Sequence, residues 1–476
     1  VKRGGAFPLP RDGRTPNAKT CPASSRRGNF LVNIELLNTG NELMLGRVLN
    51  THQQWLCRHL ADLGYVVTRQ VAVPDTAPDI QSAVREALSR ANLIVTTGGL
   101  GPTSDDLTRS LIAQLLGKKL RLDKAVLDHI KRRFAARNLP MPKNNKIQAL
   151  VPEGAQVLAN PNGTAPGLAM EVEPNDFKNE DGRLTMEDDG KPQPPSSILH
   201  PRSSRSKKWL VMLPGPPREL RPMFDNFVVP LLRREFPLAA PFVCRTLRTG
   251  GIAESLVQEK IEAPLNTLAA AGLEIGYCVR TGQVDVRLSA RGGNGKRIVH
   301  AAVTVVQKIL GAQIYGFDDE EMETVVVRLL TERKKTLAMA ESCTGGCVAH
   351  RVTNVPGASA VFLDGFVTYS NESKQKFLGV RAKTLTAHGA VSEAVVREMA
   401  EGARQQTGAD FALAVTGIAG PGGGTKEKPA GTVFIGLAGG FGTVVERKFN
   451  PYERETFKEV TAWQALEMLR MRLVCS

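Results

Sequence analysis

Between residues 336 and 374 the chain brings a serine, a cysteine and a lysine within reach of shared chemistry. The apolar run Thr336–Ala340 enters the turn Glu341-Ser342-Cys343-Thr344-Gly345-Gly346. A strand that feeds a hydroxyl or thiol into a glycine-bearing turn at a helix start presents a nucleophile well, because unpaired N–H groups there favour developing negative charge. Ser342 and Cys343 are the candidate nucleophiles, and either needs a base. His350 falls two turns into the following helix, whereas Lys374, at the end of Tyr369-Ser-Asn-Glu-Ser-Lys374, can lose its proton once desolvated. That pairing describes a Ser/Lys hydrolase; a structural turn beside a solvated lysine is the other reading of the same spacing. Cys343 and Cys347 lie on one side of one helix with no second ligand pair, so they read as buried thiols rather than metal ligands.

The elements that position such groups alternate. Short apolar strands (Ile34–Thr39, Val66–Val73, Leu93–Thr97) alternate with helices over Thr51–Leu63 and Ile80–Arg90, which predicts an α/β fold with a parallel sheet. Two glycine-bearing loops follow strands, one with Gly40 and Glu42, the other with Gly98, Gly99 and Gly101. Glycines at the carboxyl end of a parallel strand admit an anion to backbone amides, so both loops are phosphate-binding candidates. Asp105 and Asp106 offer hard oxygen ligands for a divalent metal; alternatively Asp105 caps a helix starting near Leu107.

Residues 174–207 interrupt the pattern with acidic, Pro- and Ser-rich sequence, and the flanking strands Gly167–Glu171 and Trp209–Leu213 pair as a hairpin across this inserted loop. Pro214-Gly-Pro-Pro217 then turns into a helix carrying Glu219 and Met223. A smaller unit spans 243–315: strand, helix Ala253–Ile261, strands Glu274–Arg280 and Val284–Ala290, and helix Lys296–Leu310. Its Gly292-Gly-Asn-Gly295 has the form of an RNA-clamping loop, but directly after a strand it reads first as a plain turn.

Length and charge narrow the function. A chain of 476 residues exceeds one ordinary core and predicts two or three domains. No apolar run reaches the roughly 18 residues of a membrane span. Residues 1–29 contribute +6 of the net +15 and lack an apolar period, so they read as a disordered basic tail, with a mis-assigned start as the alternative. Segment 173–208 carries seven acids and seven bases and cancels. With 5% aromatic residues the stacking platforms of a single-strand binder are missing, which argues against nucleic acid and suits small phosphorylated molecules. Seven dispersed cysteines without CxxC spacing fit a reducing, cytoplasmic compartment.

The strings AESCTGG, VPGASAVFLDGFVTYSNESK, HGAVSE and AVTGIAGPGGGTKEKPAGTVFIGLA, from about Thr336 to Arg470, together resemble the C-terminal domain of the CinA family (competence/damage-inducible protein A). GNELMLG, TTGGLGPTSDDLT, NPNGTAPG and LPGPPREL, over residues 34–222, are similar to the MoaB/MogA-like domain of the molybdopterin-binding superfamily as CinA proteins carry it, followed there by a KH-like module. The resemblance implies a tail over 1–30, a MoaB/MogA-like domain over 31–235, a KH-like α+β domain over 236–318 and an α/β CinA domain over 319–476. It implies a nicotinamide mononucleotide deamidase that needs no cofactor: Ser342 attacks, Lys374 takes the proton and Tyr369 relays or orients protons. Thr344, Gly345 and Gly346 would form the oxyanion hole, and Gly417, Gly420, Gly422, Gly423, Thr425 and Arg454, with Lys428 nearby, would hold the substrate phosphate. For the N-terminal domain it implies ADP-ribose pyrophosphatase activity with a divalent metal at Asp105 and Asp106, or molybdopterin handling. A homodimer is expected, and a non-catalytic regulatory or nucleic-acid-associated protein is the alternative class. Two positions depart from the pattern: Asn41 replaces the wider superfamily's Asp, which puts a metal role there in doubt, and Tyr452-Glu453-Arg454 replaces Gly-Asp-Arg.

Overall fold

The computed structural model describes residues 32–173 and 207–475; the tail and the insertion up to residue 206 lie outside the described residues. The chain divides into two compact units, one reaching Ala239 and one running from Ala240, which also takes in Asp62–Gly64.

In the first unit, β1 (Ile34–Thr39), β2 (Val67–Val73), β3 (Leu93–Thr97) and, after a small ribbon of β4 (Leu120–Leu122) with β5 (Leu150–Pro152), β6 (Gln156–Leu158), β7 (Gly167–Val172) and β8 (Lys208–Leu213) build the main sheet. Its order is β2-β1-β3-β8-β7-β6. The pairings among β2, β1, β3 and β8 are parallel, while β7 pairs antiparallel with both β8 and β6. The hairpin expected across the insertion is therefore present. All residues of β1 and β3 are buried, because helices cover both faces of a parallel sheet and no polar alternation is needed. Helix Ala77–Arg90, capped by Thr76 accepting from the Asp79 N–H, buries Ile80, Val84, Ala87 and Leu88. These pack with Leu37, Ile94, Leu168 and Leu210 in one core. The chain leaves β1 for β2 on one side and returns across it to β3 on the other, so the C-terminal ends of β1 and β3 flank a switch point.

The second unit opens with an antiparallel sheet of order β10-β11-β9-β12, made of β9 (Phe242–Gly250), β10 (Leu273–Arg280), β11 (Gln283–Arg291) and β12 (Ile314–Phe317). Helix Glu254–Ala270 runs well past the expected end at Ile261, with Pro264 inside it. Beyond that proline Leu265 is fully buried and Leu268 packs on the same core. Such burial, about 1.5–3 kcal/mol per leucine, offsets an interior proline costing about 3 kcal/mol. The Gly292–Gly295 segment is a turn: the Gly295 N–H donates to the Gly292 carbonyl (2.9 Å), and Gly295 opens helix Gly295–Leu310.

The third sheet, of order β14-β13-β15-β16-β17, comprises β13 (Leu337–Glu341), β14 (Phe362–Val367), β15 (Phe411–Gly417), β16 (Thr432–Gly439) and β17 (Gly442–Phe449). β13 is parallel to both β14 and β15, and β16 and β17 follow as an antiparallel hairpin. Alternation along β13 sends Leu337 and Met339 into a core with helices Met322–Glu332 and Arg454–Cys475. Ala338 and Ala340 face the other core, with helix Glu393–Thr407. Two side chains join this domain to the preceding sheet. Buried Arg248 on β9 donates to the Tyr315 hydroxyl (3.0 Å) and to both Glu321 carboxylate oxygens (3.0 Å each). The Trp463 ring covers Gly250, where a Cβ would stand 2.1 Å from it, and meets Tyr315 edge-on at 6.0 Å.

Candidate active site

Ser342 follows β13, with its N–H on the Val415 carbonyl (3.0 Å). Because β13 has parallel neighbours on both sides, Ser342 stands at a switch point of the third sheet. Lys374 arrives on helix Asn371–Leu378, capped by Ser370 accepting from the Ser373 N–H (3.1 Å). Its Nζ lies 3.0 Å from Ser342 Oγ, 2.7 Å from the Thr368 carbonyl and 3.3 Å from the Tyr369 carbonyl. Lys374 is 1% exposed, and this burial pulls its pKa below the usual lysine value, against the opposing pull of Cys343 and Glu372. Nζ thus donates to three oxygens, the Ser342 hydroxyl and the two carbonyls; on loss of a proton the two carbonyls hold the remaining N–H groups and the lone pair is free to face the Ser342 hydroxyl.

The turn after Ser342 differs from the expected oxyanion hole. Glu341, 2% exposed, folds its carboxylate over the start of helix Cys347–Thr353 and accepts from the N–H groups of Gly346 (2.9 Å), Val348 (3.1 Å) and Ala349 (2.8 Å). The Gly346 donor is thus taken, and the Gly345 N–H closes the turn on the Ser342 carbonyl (3.1 Å). Of the three expected donors, only the Thr344 N–H is taken neither by the turn nor by Glu341 among the described residues; it lies against the Cys343 thiol, and the buried Thr344 hydroxyl is unpartnered. The helix begins at Cys347, so His350 sits in its first turn rather than two turns in. Cys343 is buried, which pushes its thiol up to about 12; it is protonated at neutral pH and a poor nucleophile. Tyr369 is 65% exposed, so its ring faces outward rather than into either core. Its backbone carbonyl, not its phenol, touches Lys374.

The glycine loop divides in the same way. Gly417 ends β15 against Cys343, whose Sγ would lie 3.0 Å from a Cβ there. The Gly420 carbonyl accepts from Arg454 Nη2 (2.7 Å). Gly422 and Gly423 are exposed, and among the described residues their amides make no backbone hydrogen bond. Thr425 and Lys428 close a turn on each other, and Lys428 Nζ donates to the His388 carbonyl (2.9 Å).

In the first unit a cavity of about 380 Å³ lies at the ends of β1 and β3, lined by Gly40, Glu42, Gly98, Gly99, Gly101, Asp105 and Asp106 together with Asp75, Thr164 and Glu219. Among the described residues that line it none is basic. Gly98 (φ +98°) and Gly99 (φ +64°) are left-handed, and Cβ atoms there would strike the Thr39 carbonyl (2.6 Å) and Thr108 Oγ1 (1.9 Å). Asn41 Oδ1 accepts from the Asp75 N–H (3.2 Å), while the Asn41 N–H donates to the Asp75 carboxylate (3.0 Å). Burial, with Glu42 and Asp105 nearby, pushes the Asp75 carboxyl above its usual value. The capping alternative for Asp105 does not hold: helix Thr108–Leu115 has Leu107 at its N-cap and no side-chain cap. Asp106 instead accepts from the Thr103 N–H (2.9 Å). Glu219, 8% exposed and held by Asn160 Nδ2 (2.7 Å), is a wall of the cavity that the sequence placed only on a helix. Among the described residues no three His, Cys, Asp or Glu side chains are grouped to hold a metal ion by themselves.

Comparison with known proteins agrees with this architecture. A family model described as a probable molybdopterin binding domain matches residues 35–234, the damage-inducible protein CinA KH domain matches 244–316, and the CinA C-terminal domain matches 319–473. A putative competence-damage inducible protein of Symbiobacterium thermophilum is 41% identical over 92% of this chain and 98% of its own. A CinA-like protein of Akkermansia muciniphila is 40% identical over 91% of this chain and 96% of its own. A crystal structure of a competence/damage inducible protein from Agrobacterium tumefaciens is 41% identical, covering 32% of this chain and 93% of its own with a TM-score of 0.31. With relatives of that identity matched along nearly their whole length, this chain belongs to the CinA family.

Proposed function

We propose that the C-terminal domain hydrolyses the carboxamide of nicotinamide mononucleotide, releasing ammonia and nicotinate mononucleotide. The observation that carries this reading is the buried Lys374 amine 3.0 Å from Ser342 Oγ. Ser342 Oγ attacks the amide carbon as its proton passes to Nζ; Nζ returns that proton to the leaving nitrogen, and ammonia departs. Water, deprotonated by the same amine, then cleaves the acyl-serine ester. The Thr344 N–H is the turn donor left for the oxyanion. Arg454, which donates to the Gly420 carbonyl, and the exposed amides of Gly422 and Gly423 would hold the substrate phosphate. Purified protein incubated with nicotinamide mononucleotide should release ammonia, and Ser342→Ala should not; release by Ser342→Ala at the wild-type rate would remove the assignment.

A second activity is favoured by the first unit's cavity, whose five carboxylates and lack of basic side chains leave an anionic ligand without a counter-charge. We propose that it cleaves ADP-ribose with a divalent cation held at Asp105 and Asp106 and neutralising the pyrophosphate. The raised Asp75 carboxyl fits a site built for added positive charge. The test is pyrophosphate cleavage with and without divalent metal, and metal-independent cleavage would overturn it.

A further inference from the structure

Helix Arg454–Cys475 begins with a cation and carries a second one turn later, at Lys458. Cations this close to a helix N-terminus work against the backbone dipole, a placement that favours an anion nearby. Lys458 is half-buried, and its Nζ stands 4.0 Å from where a Cβ on Gly345 would be, beside the turn that carries Ser342. Among the described residues it makes no hydrogen bond or ion pair. It acts on the Cys347 thiol, which burial raises and Lys458 and Arg351 lower, while Glu341 and Glu459 oppose them. Arg351 is itself paired with Glu323 (2.8 Å), and Glu453 accepts from the Thr456 N–H (3.1 Å). Among the described residues Lys458 is thus an unpaired positive charge beside the nucleophile turn.

We infer that Lys458 is the principal ligand of the substrate's phosphomonoester, with Arg454 and the Gly422 and Gly423 amides completing an anion site between the turn and the glycine loop. Arg454 gives one donor to the Gly420 carbonyl and keeps others free. Lys458 reaches the turn and Arg454 the loop, so an anion between them bridges the two segments that flank Ser342. The ligand class is a phosphate dianion tethered to a carboxamide-bearing ring; this assignment rests on the amidase reading for where the carboxamide lies.

The experiment uses the full chain and three probes: nicotinamide mononucleotide, its dephosphorylated riboside and inorganic phosphate. Lys458→Met should raise KM for the mononucleotide about 10- to 100-fold, the weight of one charge-assisted hydrogen bond. It should leave kcat and the KM for the riboside unchanged and weaken competitive inhibition by phosphate. Lys458→Arg should restore most of the affinity. An unchanged KM for the mononucleotide, or an equal rise for the riboside, would overturn the inference. Calorimetric binding to Ser342→Ala separates the two readings. Lys458-dependent binding of mononucleotide without turnover by the wild type would remove the amidase and keep the anion site; Lys458-independent binding with turnover would do the reverse. Phosphate binding that is Lys458-dependent while mononucleotide binding is not would mark a free-phosphate site and also overturn the inference.

Discussion

The strand triplets β2-β1-β3 and β14-β13-β15 share one topology: a first strand in the middle, the second on one side, the third across on the other. In both, the turn after the middle strand lies at the switch point. Their electrostatics are opposed. The crevice after β1 is walled by Glu42, Asp75, Asp105, Asp106 and Glu219, whereas the turn after β13 meets a buried lysine amine held between two carbonyls. One arrangement gathers carboxylates with no basic side chain among its lining residues; the other carries an amine inside the fold, where burial lowers its pKa. The same crevice thus hosts two opposed sets of side chains, and under the proposed activities those sets, not the topology, decide the kind of chemistry.

Substitutions can break this contrast. The largest expected effect is Ser342→Ala, with ammonia release from nicotinamide mononucleotide falling about 10³-fold or more while ADP-ribose cleavage is untouched. Lys374→Arg and Lys374→Met should each lower turnover about 10²-fold or more; near-normal turnover in the arginine variant would dismiss lysine as the base. Wild-type turnover should rise with pH through the folded-state pKa of Lys374, which lies below the usual lysine value. The same shift has a stability consequence. Between the folded and unfolded pKa values the unfolded state binds more protons, so stability falls as pH drops from the unfolded value to the folded one and is level below it. Lys374→Met should remove that slope, as read from denaturant midpoints across pH.

Asp105→Asn with Asp106→Asn should abolish divalent-metal stimulation of ADP-ribose cleavage and leave ammonia release unchanged, whereas Asn41→Asp, adding a carboxylate beside Asp75, should tighten metal binding by calorimetry. Glu341→Gln sets an amide N–H₂ against one of three backbone donors and should cost about 1–3 kcal/mol of stability by chemical denaturation. The smallest effect is Cys343→Ala, which should keep turnover within about twofold, since a protonated thiol does no nucleophilic work. A large loss there, with Ser342→Ala unharmed, would exchange the two roles.

Much of this frame is legible in the chain itself. β1 and β3 begin and end where the sequence places them, because each is a short, mostly apolar run rich in Ile, Leu, Val and Thr that stops at a glycine turn. Ser342 and Lys374 are recognisable by type, although their meeting depends on a crossover that local spacing does not describe. Glu341 is not legible as a cap, since an acidic residue ending a strand is ordinary until the helix start folds over it. Lys458 is hidden for a similar reason: helical spacing puts it on the face of Arg454 but says nothing of Gly345 opposite. Tyr369 misleads in the other direction, an aromatic beside a cap serine that turns outward while its carbonyl does the contacting.

Trp463 sets the terms on which the C-terminal domain can be separated from its neighbour. Its ring lies on Gly250 and against Tyr315, both supplied by chain before residue 319. Excision at that boundary would present an aromatic face to water, a seed for self-association. A stand-alone domain cut there should therefore oligomerise, and a polar residue at position 463 should return it to a monomer by sedimentation. The small sheet before it acts, in this sense, as a permanent intramolecular chaperone for one indole.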